Sequence, residues 1–478
     1  MWRYRKLRSA TIVIALSIGI LIGLLLPQIG ITISGWQWLL VVTACLLTSL
    51  KRQIPTLITL IVGSAILGCL QGSGTLHELQ QYAQYIGHPV TVRGLVSEDP
   101  THNQQEMQQV IIENIDLNGQ HMIGQLQFTT AHKQAIERGD TVSLSGKLQA
   151  GFGSLSGKIG FAKVNAITPT HSGILEARRT FSDAVHASMI EPQASLGLGF
   201  VIGENAHLPS SISDQMKQLS LTHIIVASGY NLTILVRLSR RLFAKHSKYL
   251  ALVTSIGLMG GFLLVTGFSP SMSRAGLVTG LVLWAWYYGR NIHPLVLLLF
   301  AAALTGFLQP SYVWSSVGWY LSFLSFGGVL LLAPLVQKRL YGPKKEPNML
   351  VQVCFETACA QLATLPISLL IFGKLSLLAI PANVLVGPFI PLAMLLTFIV
   401  GMIGQVSAII APWIALPATW IIGYMLTVIH ILASLPWAQI VVSVSIVGAI
   451  VIVIALLFLG WLLWYRTKHD YLETSLID

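Results

Sequence analysis

His223, Ser228 and Asn231 stand within one apolar run, Leu219 to Leu232, with Gly229 beside the serine. Polar groups left unsatisfied in hydrocarbon are costly, so side chains of these types either line a wet path through a membrane or bind neighbouring helices. The Ser228-Gly229 pair also weakens any helix that carries it. A transport path is the reading adopted; packing through small residues and hydroxyl groups is the alternative. Four further places break the apolar pattern: Arg274 in Ser271-Met-Ser-Arg274-Ala275-Gly276, Ser322 in Trp319-Tyr-Leu-Ser322-Phe323-Leu-Ser325, Gln361 with Thr364 and Pro366, and Asn383. Each alone has a structural explanation, as when an arginine at a span's end snorkels to the interface.

Bond-making chemistry is not signalled. The sequence has no His-x-His-x-Asp-His, His-Glu-x-x-His, Gly-x-x-x-x-Gly-Lys-Ser/Thr or Gly-x-Ser-x-Gly. No catalytic residue, metal ligand or cofactor is therefore expected, and the chain reads as a non-enzyme. Cys45, Cys69, Cys354 and Cys359 lie in apolar runs without Cys-x-x-Cys spacing, and read as small apolar residues.

The elements that position these residues follow from composition. With 478 residues, a mean hydropathy of +0.70, 54% hydrophobic and 10% charged residues, the chain is too apolar for a soluble globule. It reads as a polytopic α-helical membrane protein. Its net charge of +11 invites a nucleic-acid interpretation, but the basic residues cluster between apolar runs, as the positive-inside rule requires. Eighteen of the 29 Lys and Arg fall on one side of the threading.

In chain order, residues 1–72 hold apolar runs at about 9 to 33, 36 to 50 and 54 to 70, with Lys51-Arg52 in a tight turn. The first run is over 20 residues long and reads as a transmembrane helix rather than a cleaved leader. A cytoplasmic N-terminus then puts residues 75–170 outside. There, five short alternating runs (Val90 to Val96, Val110 to Ile115, Met122 to Phe128, Thr141 to Leu148 and Gly160 to Ile167) predict a small barrel of the OB type. This segment counts six basic residues against eight acidic ones, so a structural or partner-docking role is expected in preference to strong phosphate binding. Residues 171–218 predict an amphipathic helix that could lie on the outer membrane surface and a short apolar piece, Leu196 to Gly203, too short to span. Residues 219–466 form a multi-span domain and 467–478 a cytoplasmic tail. About twelve spans are expected, both termini cytoplasmic, provided that Pro381 to Pro388 belongs to a broken or re-entrant segment.

Taken in order, these pieces resemble the ComEC family of competence proteins. That family's motif His-Leu-Leu-Ala-Ile-Ser-Gly-Leu-His is similar to His223-Ile-Ile-Val-Ala-Ser228-Gly229-Tyr230-Asn231. Its Arg-Ala matches Arg274-Ala275, its Leu-Ser-Phe matches Leu321-Ser322-Phe323, and its Gln...Thr-x-Pro with following Asn and Pro matches Gln361, Thr364, Pro366, Asn383 and Pro388. The resemblance implies an inner-membrane channel that takes up single-stranded DNA during transformation. It also implies a surface or periplasmic DNA receptor, cytoplasmic DNA-processing proteins and the lipid bilayer as partners, with a homo-oligomer left open. Asn231 stands where the family has histidine, which keeps hydrogen bonding but not proton transfer. The sequence ends at Asp478 without the metallo-beta-lactamase-like domain of long family members, so a separate nuclease is expected. His223, Ser228, Gly229, Asn231 and Arg274 are expected to converge near one cavity reachable from outside. A transporter or exporter of a small amphiphile and a non-transporting scaffold remain alternatives.

Overall fold

Two apolar helices lead into the fold: α1 (Ser9–Leu25), which tightens into a 3-10 turn over Leu26–Ile29, and α2 (Gln53–Gln80). Glycines let them cross closely, since a Cβ on Gly23 would lie 2.0 Å from the carbonyl oxygen of Ala65. The structure, a computed structural model, describes residues 9–31, 53–102, 107–131, 136–170, 172–204, 208–221, 229–267, 270–290, 292–342 and 348–467.

Eight strands follow: β1 (Pro89–Val96), β2 (Thr101–His102), β3 (Gln108–Leu117), β4 (Gln120–Met122), β5 (Leu126–Thr130), β6 (Thr141–Ala150), β7 (Gly157–Ile159) and β8 (Lys163–Thr168). Five of them close a ring in the order β1-β3-β5-β7-β6 and back to β1. All its pairs are antiparallel except β5 with β7. This is a closed OB-type barrel, and Val92, Ile112, Phe128, Leu144 and Leu148 fill its interior. Two strands differ from expectation. The run Met122 to Phe128 breaks at Gly124, whose φ of +119° suits glycine, into β4 and β5. The ring's fifth strand is β7, while Lys163–Thr168 pairs with β6 outside the ring. A three-residue strand shows no periodicity, and it fits because Gly157 leaves room for Leu126 and Leu148, each 2.8 Å from where its Cβ would be.

The remaining helices are α3 (Gly173–Ser188), α4 (Gln193–Val201), α5 (Ser210–Gln218), α6 (Gly229–Phe243), α7 (Lys248–Thr266), α8 (Pro270–Tyr287), α9 (Pro294–Leu308), α10 (Pro310–Ser315) and α11 (Val317–Gly327). A π-helical stretch, Gly328–Leu332, joins α11 to α12 (Ala333–Tyr341). Then come α13 (Met349–Phe372), α14 (Ala379–Val386), α15 (Ile390–Gly404), α16 (Ala411–Ala433) and α17 (Ile446–Thr467), with a two-stranded ribbon of β9 (Lys374–Ser376) and β10 (Gln439–Val441).

Among the described residues, eight helices are long and apolar enough to cross a membrane, against about twelve spans expected. The run 36 to 50 lies outside the described residues, as do residues 222–228 of the run at 219. In addition, α9 is a shorter apolar helix, and Arg274 and its neighbouring hydroxyls leave α8 outside the eight. The segment around Pro381 to Pro388, expected to be broken or re-entrant, runs as helix with one 3-10 turn in it. Pro381 sits in the first turn of α14, where its missing N–H is not needed, and Pro388 is absorbed by a 3-10 turn over Gly387–Phe389 that keeps one helical path from Ala379 to Gly404. The amphipathic α3 is also not free on a surface. Its apolar face lies on α15, where the Phe181 ring occupies the space that a side chain at Gly401 would need.

Candidate functional site

Arg274, in the second turn of α8, is 4% exposed. Its Nη2 donates to the carbonyl of Gly318 at 3.2 Å, and its Cζ lies 5.6 Å from the ring centre of Phe323, both on α11. Its Nε and Nη1 are buried with no hydrogen-bond partner among the described residues. Leaving charged donors unmade in an apolar setting is expensive, usually more so than any neutral group. No Asp or Glu occurs in the sequence between Asp214 and Glu346, so none of the helices from α6 to α12 carries a counter-charge. Tyr312 on α10 lies within electrostatic range of Arg274 and also of the barrel carboxylates Glu98 and Glu113. The guanidinium therefore sits on the barrel side of the helices.

Gly229 begins α6 beside it. A Cβ there would lie 2.7 Å from the Cβ of Ala275, so the glycine lets α6 meet α8 next to Arg274. Two residues on, Asn231 is 1% exposed and its Nδ2 donates to the carbonyl of Phe200 at 3.1 Å. Phe200 lies in the last turn of α4, where carbonyls lack helical partners, so Asn231 caps a helix that is buried from Ala194 to Val201. That helix is itself pressed into α15 and α16: a Cβ on Gly197 would meet Thr397 at 2.7 Å and Ile422 at 3.2 Å. His223 and Ser228 lie outside the described residues. Ser322 is half-buried on α11, next to the Phe323 that meets Arg274. Gly229 and Arg274 are thus held at one crossing of α6 and α8, and Ser322 stands on the helix α11 that Arg274 meets.

The other candidates form a separate group. Asn383 on α14 donates from Nδ2 to the Thr357 hydroxyl on α13 at 3.4 Å, one turn before Gln361. Thr364 turns its hydroxyl back onto its own helix, to the carbonyls of Ala360 at 3.0 Å and Gln361 at 3.2 Å. Pro366 is buried inside α13, which continues past it to Phe372. The π-helical stretch that follows α11 joins the two groups, since Gly328 packs on α13 with its missing Cβ 2.4 Å from the Cys359 carbonyl oxygen. Phe323, Gly318 and Tyr312 were not singled out by residue type. Phe323 carried a signal, its place in Leu321-Ser322-Phe323, whereas an aromatic residue and a backbone carbonyl elsewhere carry none.

Where the barrel meets the helices, charges are paired. Arg178 on α3 makes two hydrogen bonds to Asp99, at 2.9 and 2.5 Å. Arg179 pairs with Glu137 and, at 3.4 Å, with Asp140. Arg138 donates to the carbonyl of Val265 at the end of α7 at 3.1 Å. Burial, with Asp99 and Glu113 nearby, pushes the Glu98 carboxyl above its ordinary value despite Arg138. Burial likewise lowers the Arg138 guanidinium, with Arg178 adding to it and the carboxylates opposing. Among the described residues no three His, Cys, Asp or Glu gather as metal ligands.

ComE operon protein 3 of Bacillus subtilis (strain 168) is 22% identical over 241 residues, which are 48% of this chain and 30% of that protein. The matched segment thus spans less than a third of the relative's length. No solved structure matches the chain. The family model described as Competence protein matches residues 200–468, more than half of the 478 residues, including every described site residue above. The chain, a multi-pass membrane protein with an OB-type barrel, belongs to this ComEC family of competence proteins.

Proposed function

We propose that the chain conducts single-stranded DNA inward across the cytoplasmic membrane, along a path bordered by α6, α8 and α11. The observation that carries this reading is Arg274: a buried cation with two open donors and no carboxylate on the surrounding helices. A phosphate diester supplies the charge and the acceptors that it lacks. One such group, rather than a row of them, suits a conduit, because a strand held at many cations would not leave. In this reading His223, Ser228 and Asn231 border the path with Gly229 as the close crossing beside it. Ser322, Gln361, Thr364, Pro366 and Asn383 shape the helices farther along.

The barrel faces outward and both termini lie in the cytoplasm, as the basic loops require. A DNA receptor hands the strand over on the barrel side, and cytoplasmic DNA-processing proteins take it up; the chain itself performs no bond chemistry. Deleting the gene abolishes transformation and leaves small-molecule uptake intact. Loss of a small solute's transport with normal transformation overturns the reading.

A further inference from the structure

Helices α6 and α8 run side by side in the same direction. Gly229 meets Ala275 at one end, and eleven residues along each helix Arg240 lies over Trp286, its Cζ 4.2 Å from the ring centre. Eleven residues of helix span about 16 Å. The Gly229 crossing adjoins Arg274 on the barrel side, so the Arg240 end lies away from the barrel. Four cations gather there. Lys248, the first residue of α7, brings its Nζ within 5.5 Å of the same Trp286 ring and 5.8 Å of that of Tyr287. Arg237, one turn before Arg240, lies within electrostatic range of it, and Arg241 is the next residue. None of α6, α7 and α8 contains an Asp or Glu, so no carboxylate of these elements offsets the repulsion among the four. Arg240 keeps a buried Nε without a hydrogen-bond partner among the described residues. The outward face of α6 is not only cationic. Ile234, Leu238 and Arg241, spaced by four and three residues, form one stripe, with Ile234 half-buried and Leu238 and Arg241 exposed. Along that stripe hydrocarbon stands toward the barrel and positive charge stands at the far end.

We propose that this end of α6 is a binding site for an anionic phospholipid of the leaflet away from the barrel. Arg237 and Arg241 take the headgroup phosphate, and the acyl chains run back toward the barrel side past Leu238 and Ile234. Arg240 and Lys248, laid on Trp286, add positive field behind the phosphate. Charge alone would suit a nucleic acid equally. The order along the stripe favours a lipid, the anion whose phosphate is joined to hydrocarbon. The rings point the same way. Trp284 and Tyr288 are exposed, but each is two residues from Trp286 and so on the opposite face of α8 from α6. Trp286, the ring that does adjoin the cations, is half-buried and already carries Arg240 and Lys248, which leaves little face for a base to stack on. The site requires only that these helices lie in a membrane, whatever passes between them.

The test is the melting of the detergent-purified full chain in mixed micelles, with phosphatidylglycerol titrated against phosphatidylcholine at constant total lipid. Phosphatidylglycerol raises the melting temperature, phosphatidylcholine does not, and added salt reduces the difference. Arg237→Gln with Arg241→Gln lowers the apparent affinity for phosphatidylglycerol about thirtyfold, the share of two cations at a membrane surface. Arg237→Lys with Arg241→Lys keeps part of it. Both arginines are exposed, so the variants should melt like the wild type without lipid. Should the double variant melt early, Arg241→Gln alone loses about fivefold and serves in its place. Glycerophosphoglycerol, the same headgroup without chains, gives no stabilisation at equal phosphate. Unchanged phosphatidylglycerol affinity in the glutamine variants overturns the site, as does equal stabilisation by the two lipids. Equal stabilisation by glycerophosphoglycerol makes it a site for free phosphate esters and overturns the lipid. Stabilisation by oligothymidine that the glutamine pair removes makes the surface a nucleic-acid contact and overturns it too. The conduit is judged separately, by transformation.

Discussion

The barrel junction and the helices beneath it treat charge in opposite ways. At the junction, Arg178 closes on Asp99, Arg179 on Glu137 and Asp140, and Arg138 on a backbone carbonyl. Below, Arg274 has one carbonyl and one ring, and two of its nitrogens face no partner among the described residues. Paired charges of the first kind fix how two elements sit. A buried cation of the second kind weakens the fold unless something else binds it. In the proposed reading this separation gives structure to the junction and ligand contact to the helices.

The largest effect expected from breaking this contrast is at Arg274. Hydrogen bonds to charged groups are each worth about 1.5–3 kcal/mol, so Arg274→Ala, losing two toward a phosphate, lowers transformation by about a hundredfold or more at unchanged membrane levels. Arg274→Lys keeps the charge but not the fork, and recovers only part of the uptake. Counting transformants against protein in the membrane decides it; equal transformation by Arg274→Ala would mean that the cation is structural.

At the junction the same operation should change stability instead of transport. Arg178 and Asp99 side chains are 10% and 14% exposed, and removing one member of such a pair costs about 3 kcal/mol. Asp99→Ala should therefore speed protease cutting between the barrel and α3. Undiminished resistance would show that the pair contributes nothing.

Gly229 belongs to neither side of the contrast. It reads from sequence as a conduit residue, yet its missing Cβ would stand 2.7 Å from Ala275. Gly229→Leu should push α6 off α8 and cost about 1–3 kcal/mol by overpacking, read as lower melting of the purified chain. Lost transport in this variant would then report helix packing, which is why Arg274 is the better probe.

Much of the arrangement was legible because its signals are local. Alternation in β1, β3 and β6 marked the barrel, and Arg274 stood out because it interrupts an apolar run. What escaped depends on distant contacts. The ring closes through β7, three residues whose glycine makes sense only beside Leu126 and Leu148. Pro388 looked like a break, but a 3-10 turn accommodates it without interrupting the helical path. Likewise, no pattern within α4 announces that Asn231, thirty-one residues from Phe200, caps it.

A smaller effect concerns the hinge between α3 and α4. His186 Nδ1 lies 2.5 Å from Glu191 and Nε2 3.8 Å from Glu204, while Glu191 also accepts from the Ser195 hydroxyl at 2.6 Å. Glu204, against the pull of burial, and then Glu191 raise the imidazole above its ordinary value. Burial pushes Glu204 up, but His186, Ser182 and Arg178 outweigh it and hold that carboxylate low. The histidine's contribution is thus fully present below pH 6.5 and is lost as pH rises through its raised value. The carboxylate's contribution is present above 4.5 and is lost as pH falls through its lowered value. Melting temperature should drop by a few degrees as pH rises from about 6.5, and His186→Gln should flatten that part of the profile. A profile that His186→Gln leaves unchanged would place the titration elsewhere.

The smallest effect expected is none at all: the separate barrel should not bind single-stranded DNA. OB barrels that do so present a basic groove with stacked rings. Residues 75–170 carry six basic against eight acidic residues. Glu98 and Glu113 lie near Arg138 and within range of Tyr312, so the barrel turns carboxylates toward the helices. Phe152 and Phe161 are exposed, at 78% and 81%, but rings without clustered cations release few counterions and gain little from a polyanion. The closed ring and its own core allow residues 75–170 to be produced alone. In that form, affinity for oligothymidine should be weaker than about 100 μM at physiological salt. Tighter, salt-sensitive binding would move the first DNA contact onto the barrel and dissolve the contrast between a paired junction and an unpaired path.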